Sequence, residues 1–190
     1  METFTISAFI KFLASAAFAC TAILFLFGFY EVTVHQVIGN AISGIDIITG
    51  KGLATALRNT EISEQQLDNL EHFSMGIWAL LSLVCATAGV FSLLNGSPNS
   101  TLTSLIAATT GMASLLILKS VVTAAYKASM GFTGIAITFD VAYWAALLAF
   151  ISAATACCII LFQQKYQVPG NRKHDKVIGA LSLPFIEHKQ

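Results

Sequence analysis

The sequence predicts an all-α integral membrane protein, with four transmembrane helices in an antiparallel bundle and one larger extracytoplasmic loop. Of the 190 residues, 56% are hydrophobic and only 11% are charged, whereas soluble domains carry about 25% charged residues. Four long apolar runs alternate with polar segments. At about 1.5 Å per helical residue, each run can cross the ~30 Å hydrocarbon core of a bilayer.

The first predicted span covers residues 8–30. Its single lysine, Lys11, lies near the start of the run and can extend to the headgroups. A signal peptide is the alternative interpretation, because Ala17-Phe18-Ala19 resembles an A-x-A cleavage site. The apolar run continues well beyond Ala19, which favours a membrane span.

The extracytoplasmic segment, residues 31–72, is the only sizeable polar stretch between spans. Its first half is rich in isoleucine, valine and glycine and is expected to lie against the membrane or the helix ends. Turns are expected near Gly39, Gly44 and residues 50–52. Ser63, with Gln66 three residues later, fits a capping box, so a helix is expected to start there and continue into the second span.

The second and third spans are residues 73–94 and 102–126. The short connection between them contains Gly96 and Pro98, which favour a tight turn. Two helices joined by so short a loop are antiparallel neighbours.

The fourth span, residues 139–162, carries Tyr143 and Trp144 in its first turns. Such aromatic residues are typical of a membrane interface. The chain therefore divides into a four-helix transmembrane domain, residues 1–162, and a basic tail, residues 163–190. The tail is interpreted as a topology determinant, or as a surface for anionic lipid headgroups. The basic residues concerned are Lys165, Arg172, Lys173 and Lys176.

The distribution of basic residues predicts the orientation. Six lysines and arginines fall on the side of the two termini. Three fall on the other side, or four if Lys119 extends outward. The positive-inside rule therefore places both termini in the cytoplasm, with the spans in a plasma or inner membrane.

Small residues at four-residue spacing indicate where the helices would pack, because they let helix backbones approach closely in lipid. The alternative is that alanine-rich spans contain such rows by chance. The predicted packing residues are Ala145, Ala149 and Ala153 in span four, and Thr103, Ala107 and Gly111 in span three. The opposite faces, such as Phe25, Phe27 and Phe29 in span one, are expected to meet lipid or a partner.

Lys119 is the charged residue within span three and the best functional candidate. An ion pair with Asp140 or Glu31 is one structural interpretation, since all three residues are predicted near the outer ends of the spans. Extension of the side chain to the interface is an alternative. A proton or ion pathway, or contact with a partner subunit or an anionic lipid, would be functional uses of this intramembrane polar site.

The sequence contains no motif for an enzyme, a cofactor or a metal site. The four cysteines all lie within apolar runs and are interpreted as packing residues. Ten basic and ten acidic residues cancel, so no net charge attracts nucleic acid. Four spans with a larger segment after the first resemble the topology of tetraspan proteins such as claudins. The paired loop cysteines and W-G-L-W-type motif of claudins are absent, so no residue role is carried over.

The sequence thus favours a non-enzymatic scaffold or accessory subunit of a larger membrane protein complex. Its expected partners are membrane lipids and other membrane protein subunits, in a hetero- or homo-oligomer. The alternative is a small transporter, channel or lipid-binding protein that uses Lys119.

Overall fold

The computed structural model describes residues 2–34, 37–38, 41–50, 74–95, 99–129 and 135–166. In chain order the elements are α1 (Glu2–Leu24), β1 (Gly28–Val34), β2 (Val37–Ile38), β3 (Ile42–Ser43), α2 (Gly44–Thr49), α3 (Ser74–Leu94), α4 (Ser100–Ser129), β4 (Ile135–Phe139) and α5 (Val141–Tyr166). Helices α1, α3, α4 and α5 are long and apolar enough to cross a membrane. The prediction of four such helices is confirmed.

A small antiparallel sheet, which the all-α prediction did not include, accompanies the helices. β1 is its central strand, with β4 on one side and β2 and β3 on the other. The ladder between β1 and β4 runs from the pair Tyr30 and Phe139 to the pair Val34 and Ile135. Because β1 follows α1 and β4 precedes α5, the sheet joins the end of the first helix to the start of the last.

The first and fourth helices are shorter at the sheet than the predicted spans. α1 ends at Leu24, where Phe27 N–H donates to the Leu24 carbonyl at 3.0 Å in a closing turn. Gly28 then begins β1, whose aromatic and β-branched residues favour an extended chain. Phe139 likewise belongs to β4, and α5 begins at Val141.

α2 replaces the turn expected near Gly44. The Ser43 hydroxyl accepts a hydrogen bond from Asp46 N–H at 3.1 Å, and the Asp46 carboxylate accepts one from Ser43 N–H at 3.2 Å. This reciprocal capping box starts the helix at Gly44. Gly50, at φ 72°, ends it in the left-handed conformation that glycine adopts easily. Gly39, residues 51–52 and the helix predicted from Ser63 lie outside the described residues.

The most extensive contacts among the long helices are those of α1 with α3, α1 with α5, α3 with α4, and α4 with α5. Each of these helices contributes buried residues at alternating spacings of three and four. In α4 these are Ser104, Ala108, Gly111, Leu115, Leu118 and Val122, and in α5 they are Tyr143, Ala146, Phe150, Ala153, Cys157 and Ile160. This average period of 3.5 is typical of left-handed helix packing.

The aromatic residues at the end of α1 are divided between the core and the surface. Phe25 and Phe29 are fully buried, with ring centroids 4.7 Å apart, so the prediction that they face lipid or a partner was wrong. Phe27 is 57% exposed. The helix ends at Leu24. Phe29 belongs to β1, and its ring lies 6.0 Å from that of Tyr143 in α5.

Candidate functional site

Lys119 lies in α4 with its ammonium against two aromatic rings. The Nζ atom is 4.4 Å from the ring centre of Trp144 and 5.4 Å from that of Phe139. Both distances are within the ~6 Å at which a cation is attracted to the face of an aromatic ring. The apolar spanning segment of α4 ends at Ala124, so Lys119 lies about 7.5 Å along the helix axis before that end.

Tyr143 sets the position of α5 relative to Lys119. Its hydroxyl donates a hydrogen bond of 2.9 Å to the carbonyl oxygen of Leu115, and both residues are fully buried. Leu115 lies one helical turn before Lys119, and Tyr143 directly precedes Trp144. This bond between α4 and α5 therefore fixes the height at which the Trp144 ring meets the ammonium.

The sheet holds the second ring. Phe139 pairs with Tyr30 at the end of the β1–β4 ladder, and its ring centroid is 4.8 Å from that of Tyr143. The next backbone N–H, that of Asp140, donates to the Phe29 carbonyl at 2.9 Å. The surroundings of Lys119 thus combine α4, α5 and the sheet in one aromatic cluster.

The structure places Asp140 and Glu31 in other interactions. Asp140 Oδ1 accepts a hydrogen bond from Val141 N–H at 2.7 Å, where the dipole of α5 favours a negative charge. Glu31 is half-buried and lies opposite Thr138 in the sheet. Within the part of the chain that the structure describes, no ion pair links Lys119 to either carboxylate.

A shallow, open groove of about 440 Å³ lies beside Lys119. It is lined by Leu116, Lys119, Ser120, Thr123 and Ala124. The Thr123 hydroxyl donates to the backbone carbonyl of Lys119 at 2.8 Å. The groove therefore has polar groups in its middle, while Leu116, 48% exposed, forms an apolar end.

The small residues predicted to pack between helices differ in how far they are buried. Gly111 and Ala153 are buried, Ala107, Ala145 and Ala149 are half-buried, and Thr103 is exposed. Thr103 still reaches α3, because its hydroxyl accepts a hydrogen bond from Ser92 at 2.9 Å. Gly111 lies against the Phe150 ring, and its carbonyl accepts a hydrogen bond from Ser82 at 3.2 Å.

The basic patch falls mostly beyond the described ranges. Lys165 is exposed in the last turn of α5, whereas Arg172, Lys173 and Lys176 lie outside the described residues. In the described ranges, no three histidine, cysteine, aspartate or glutamate side chains form a candidate metal site.

Sequence reasoning did not identify the aromatic partners of Lys119. Trp144 was interpreted only as an interfacial anchor, and Phe139 as the first residue of a span. A signal was present: Lys119 near the end of one span and Trp144 near the start of the next fall at the same membrane depth if the two helices are antiparallel neighbours.

Comparison with known proteins assigns no family to this arrangement. No protein-family model matches the sequence, and neither does any curated protein with which it was compared.

Proposed function

We propose that the protein is a non-enzymatic scaffold or accessory subunit of a larger membrane protein complex. The four long helices form an antiparallel bundle in a plasma or inner membrane. One larger segment is extracytoplasmic, and both termini are cytoplasmic. The partners are other membrane protein subunits, in a hetero- or homo-oligomer, and the surrounding lipids.

The observation that best supports this proposal is the dense packing of side chains between the helices. Phe18 of α1 and Phe150 of α5 meet edge to face, with ring centroids 6.1 Å apart. Each ring lies directly against a glycine, Gly89 for Phe18 and Gly111 for Phe150. Aromatic side chains fill the interior at this level. Binding of a partner to the outer faces is therefore better supported than passage of a solute through the centre of the bundle.

The sheet adds a surface of fixed position outside the apolar helices. Tyr30 and Val32 of β1 are buried, whereas Ala136 and Thr138 of β4 are exposed. The aromatic contacts of Phe139 and Tyr143 connect this sheet to α5. A rigidly held extramembrane surface is suited to presenting a constant shape to a partner.

A transporter, channel or lipid-binding protein that uses Lys119 is the second candidate, and the groove beside Lys119 is the observation that favours it. A path for ions would require polar groups that continue from Lys119 along α4. The hydroxyls of Thr109 and Thr123 instead donate to carbonyls of their own helix. In liposomes, loss of flux in folded Lys119→Met protein would favour transport over the scaffold role.

Native purification into nanodiscs, followed by native mass spectrometry, tests the scaffold proposal. We expect a complex of fixed stoichiometry, heavier than one chain with bound lipid. A stable monomer that carries only lipid would contradict the proposal.

One substitution on each outer helix face then locates the contact. Phe12→Ala, Phe91→Ala, Ile106→Ala and Ile151→Ala each shorten an exposed apolar side chain on a different helix. We expect one substitution to reduce the amount of complex, while the other three serve as matched controls. Equal loss in all four variants, with normal folding of each, would argue against a defined interface.

A further inference from the structure

The groove beside Lys119 combines a cation with free hydrogen-bonding groups near one end of a membrane-spanning helix. Lys119 is half-buried, and its ammonium contacts only the faces of Phe139 and Trp144 among the described residues. An ammonium carries three N–H donors. The contact with the two rings stabilises the positive charge in part, but it leaves N–H donors of the ammonium available to an anion.

Two residues next to Lys119 carry further donors: Ser120 lines the same groove, and the Trp144 ring contacts the ammonium. Ser120 is exposed and lines the groove, and its hydroxyl bonds to no other described residue. Trp144 is 43% exposed, and its indole N–H likewise has no acceptor among the described residues. Phosphate oxygens are strong acceptors for ammonium, hydroxyl and indole donors.

The apolar end of the groove indicates the kind of molecule that would carry the phosphate. Leu116 lies one turn further into the spanning segment than Lys119, and its side chain is exposed. A ligand in the groove would therefore meet a cation near the end of the span and an apolar surface toward its centre. A phospholipid has this arrangement, with an anionic headgroup above its acyl chains.

We propose that the groove formed by Leu116, Lys119 and Ser120 binds one anionic phospholipid. The headgroup phosphate accepts hydrogen bonds from the Lys119 ammonium and the Ser120 hydroxyl, and an acyl chain packs on Leu116. The rings of Phe139 and Trp144 hold the ammonium in place for this contact. The site is independent of whether the protein is a subunit of a larger complex.

The test measures lipid binding to the purified full chain in nanodiscs by native mass spectrometry. The probes are phosphatidylglycerol and, as the zwitterionic comparison, phosphatidylcholine with the same acyl chains. One charge near a membrane surface changes binding about fivefold, so we expect Lys119→Met to weaken phosphatidylglycerol binding by about that factor. Phosphatidylcholine binding is expected to change less.

Lys11→Met is the matched control, because Lys11 is also a half-buried lysine on a spanning helix. We expect this variant to bind both lipids as the parent does. Equal weakening by Lys11→Met and Lys119→Met, or no weakening by Lys119→Met, would overturn the proposal.

Three further measurements test the charge, the hydroxyl and the lipid character of the ligand. Lys119→Arg retains the positive charge and should keep phosphatidylglycerol binding, whereas Ser120→Ala removes an exposed hydroxyl without disturbing packing and should weaken it. Unchanged phosphatidylglycerol binding in Ser120→Ala would overturn the proposed hydrogen bond from Ser120 to the headgroup. Displacement of the lipid by millimolar glycerol phosphate would overturn it in favour of a site for soluble anions.

Discussion

Gly111 lies where three helices meet. Its Cα is covered by the Phe150 ring of α5, and its carbonyl accepts the hydroxyl proton of Ser82 from α3. A Cβ at this position would collide with ring atoms of Phe150. Glycine is therefore needed here because an aromatic side chain packs against it. In a close crossing of two helix backbones, a second small residue would lie opposite it instead.

Gly111→Ala is expected to destabilise the folded protein, although alanine is the better helix former by about 1 kcal/mol. Overpacking against Phe150 costs about 1–3 kcal/mol. Unfolding in detergent titrated with dodecyl sulfate measures the change. Phe150→Leu in the same chain should recover part of the loss, because the smaller side chain makes room for the methyl group.

Ala113→Leu is the control for the substitution at Gly111. Ala113 lies on the exposed face of the same helix, so added volume there should leave the unfolding midpoint nearly unchanged. Additive effects of Gly111→Ala and Phe150→Leu would contradict the proposed contact, since residues that touch show coupling energies of about 0.5–3 kcal/mol.

The packed face of each long helix is set by its full pattern of buried residues. In α5 the buried row passes through Ala146, Phe150, Ala153 and Cys157. A row with strict four-residue spacing, such as the one through Ala145, Ala149 and Ala153, turns gradually around a helix of 3.6 residues per turn. It meets the observed row at Ala153 and departs from it toward Ala145, which is half-buried.

Ser82→Ala is expected to destabilise the pairing of α3 and α4 by about 0.5–1.5 kcal/mol, because it removes the interhelical hydrogen bond to Gly111. Ser114→Ala is the matched control. Ser114 is also buried, but its hydroxyl donates to the Thr110 carbonyl of its own helix. Equal loss of unfolding free energy in the two variants would contradict a specific contribution from the interhelical bond.

Hydropathy could predict the four long helices, but it could not predict the sheet. Residues after Leu24 are as apolar as those before it, so a hydropathy sum extends the span to Tyr30. The local signal is a change of residue type, from alanine-rich to aromatic and β-branched after Gly28. The partner of β1 is distant in sequence, and only the folded chain brings Tyr30 and Phe139 together.

The sequence could predict that Lys119 supplies the cation of the candidate site, but it could not predict which groups surround that cation. Lys119 stands out as the charge within span three, and charge complementarity favoured a carboxylate partner. Asp140 instead accepts a backbone hydrogen bond at the start of α5, and aromatic faces take its place. The Tyr143–Leu115 bond beside this cluster joins residues far apart in the chain, so the sequence alone could not predict it.

At the scale of the whole molecule, the sheet and the last turn of α5 lie at opposite ends of a helix of 26 residues. A helix of this length extends about 39 Å. If α5 crosses a bilayer, Thr138 and Lys165 therefore lie on opposite sides of it. Both residues are exposed. They are therefore suitable reporters of orientation.

In intact cells, a membrane-impermeant maleimide should label Thr138→Cys, whereas Lys165→Cys should react only after permeabilisation. This outcome follows if the sheet is extracytoplasmic and the basic tail is cytoplasmic. The parent protein sets the background, because its four cysteines lie within the spanning segments. The reverse labelling pattern would invert the proposed orientation.

The ladder between β1 and β4 also imposes an order on assembly. β1 leaves the ribosome directly after the first helix, but β4 follows roughly a hundred residues later, and closing so long a loop carries an entropic cost. Until then, one edge of β1 presents open backbone groups, and such edges are templates for wrong pairing. A chain that stops before Ile135 would keep this edge open. Biogenesis of the protein is therefore most vulnerable in the interval between its first and last membrane helices.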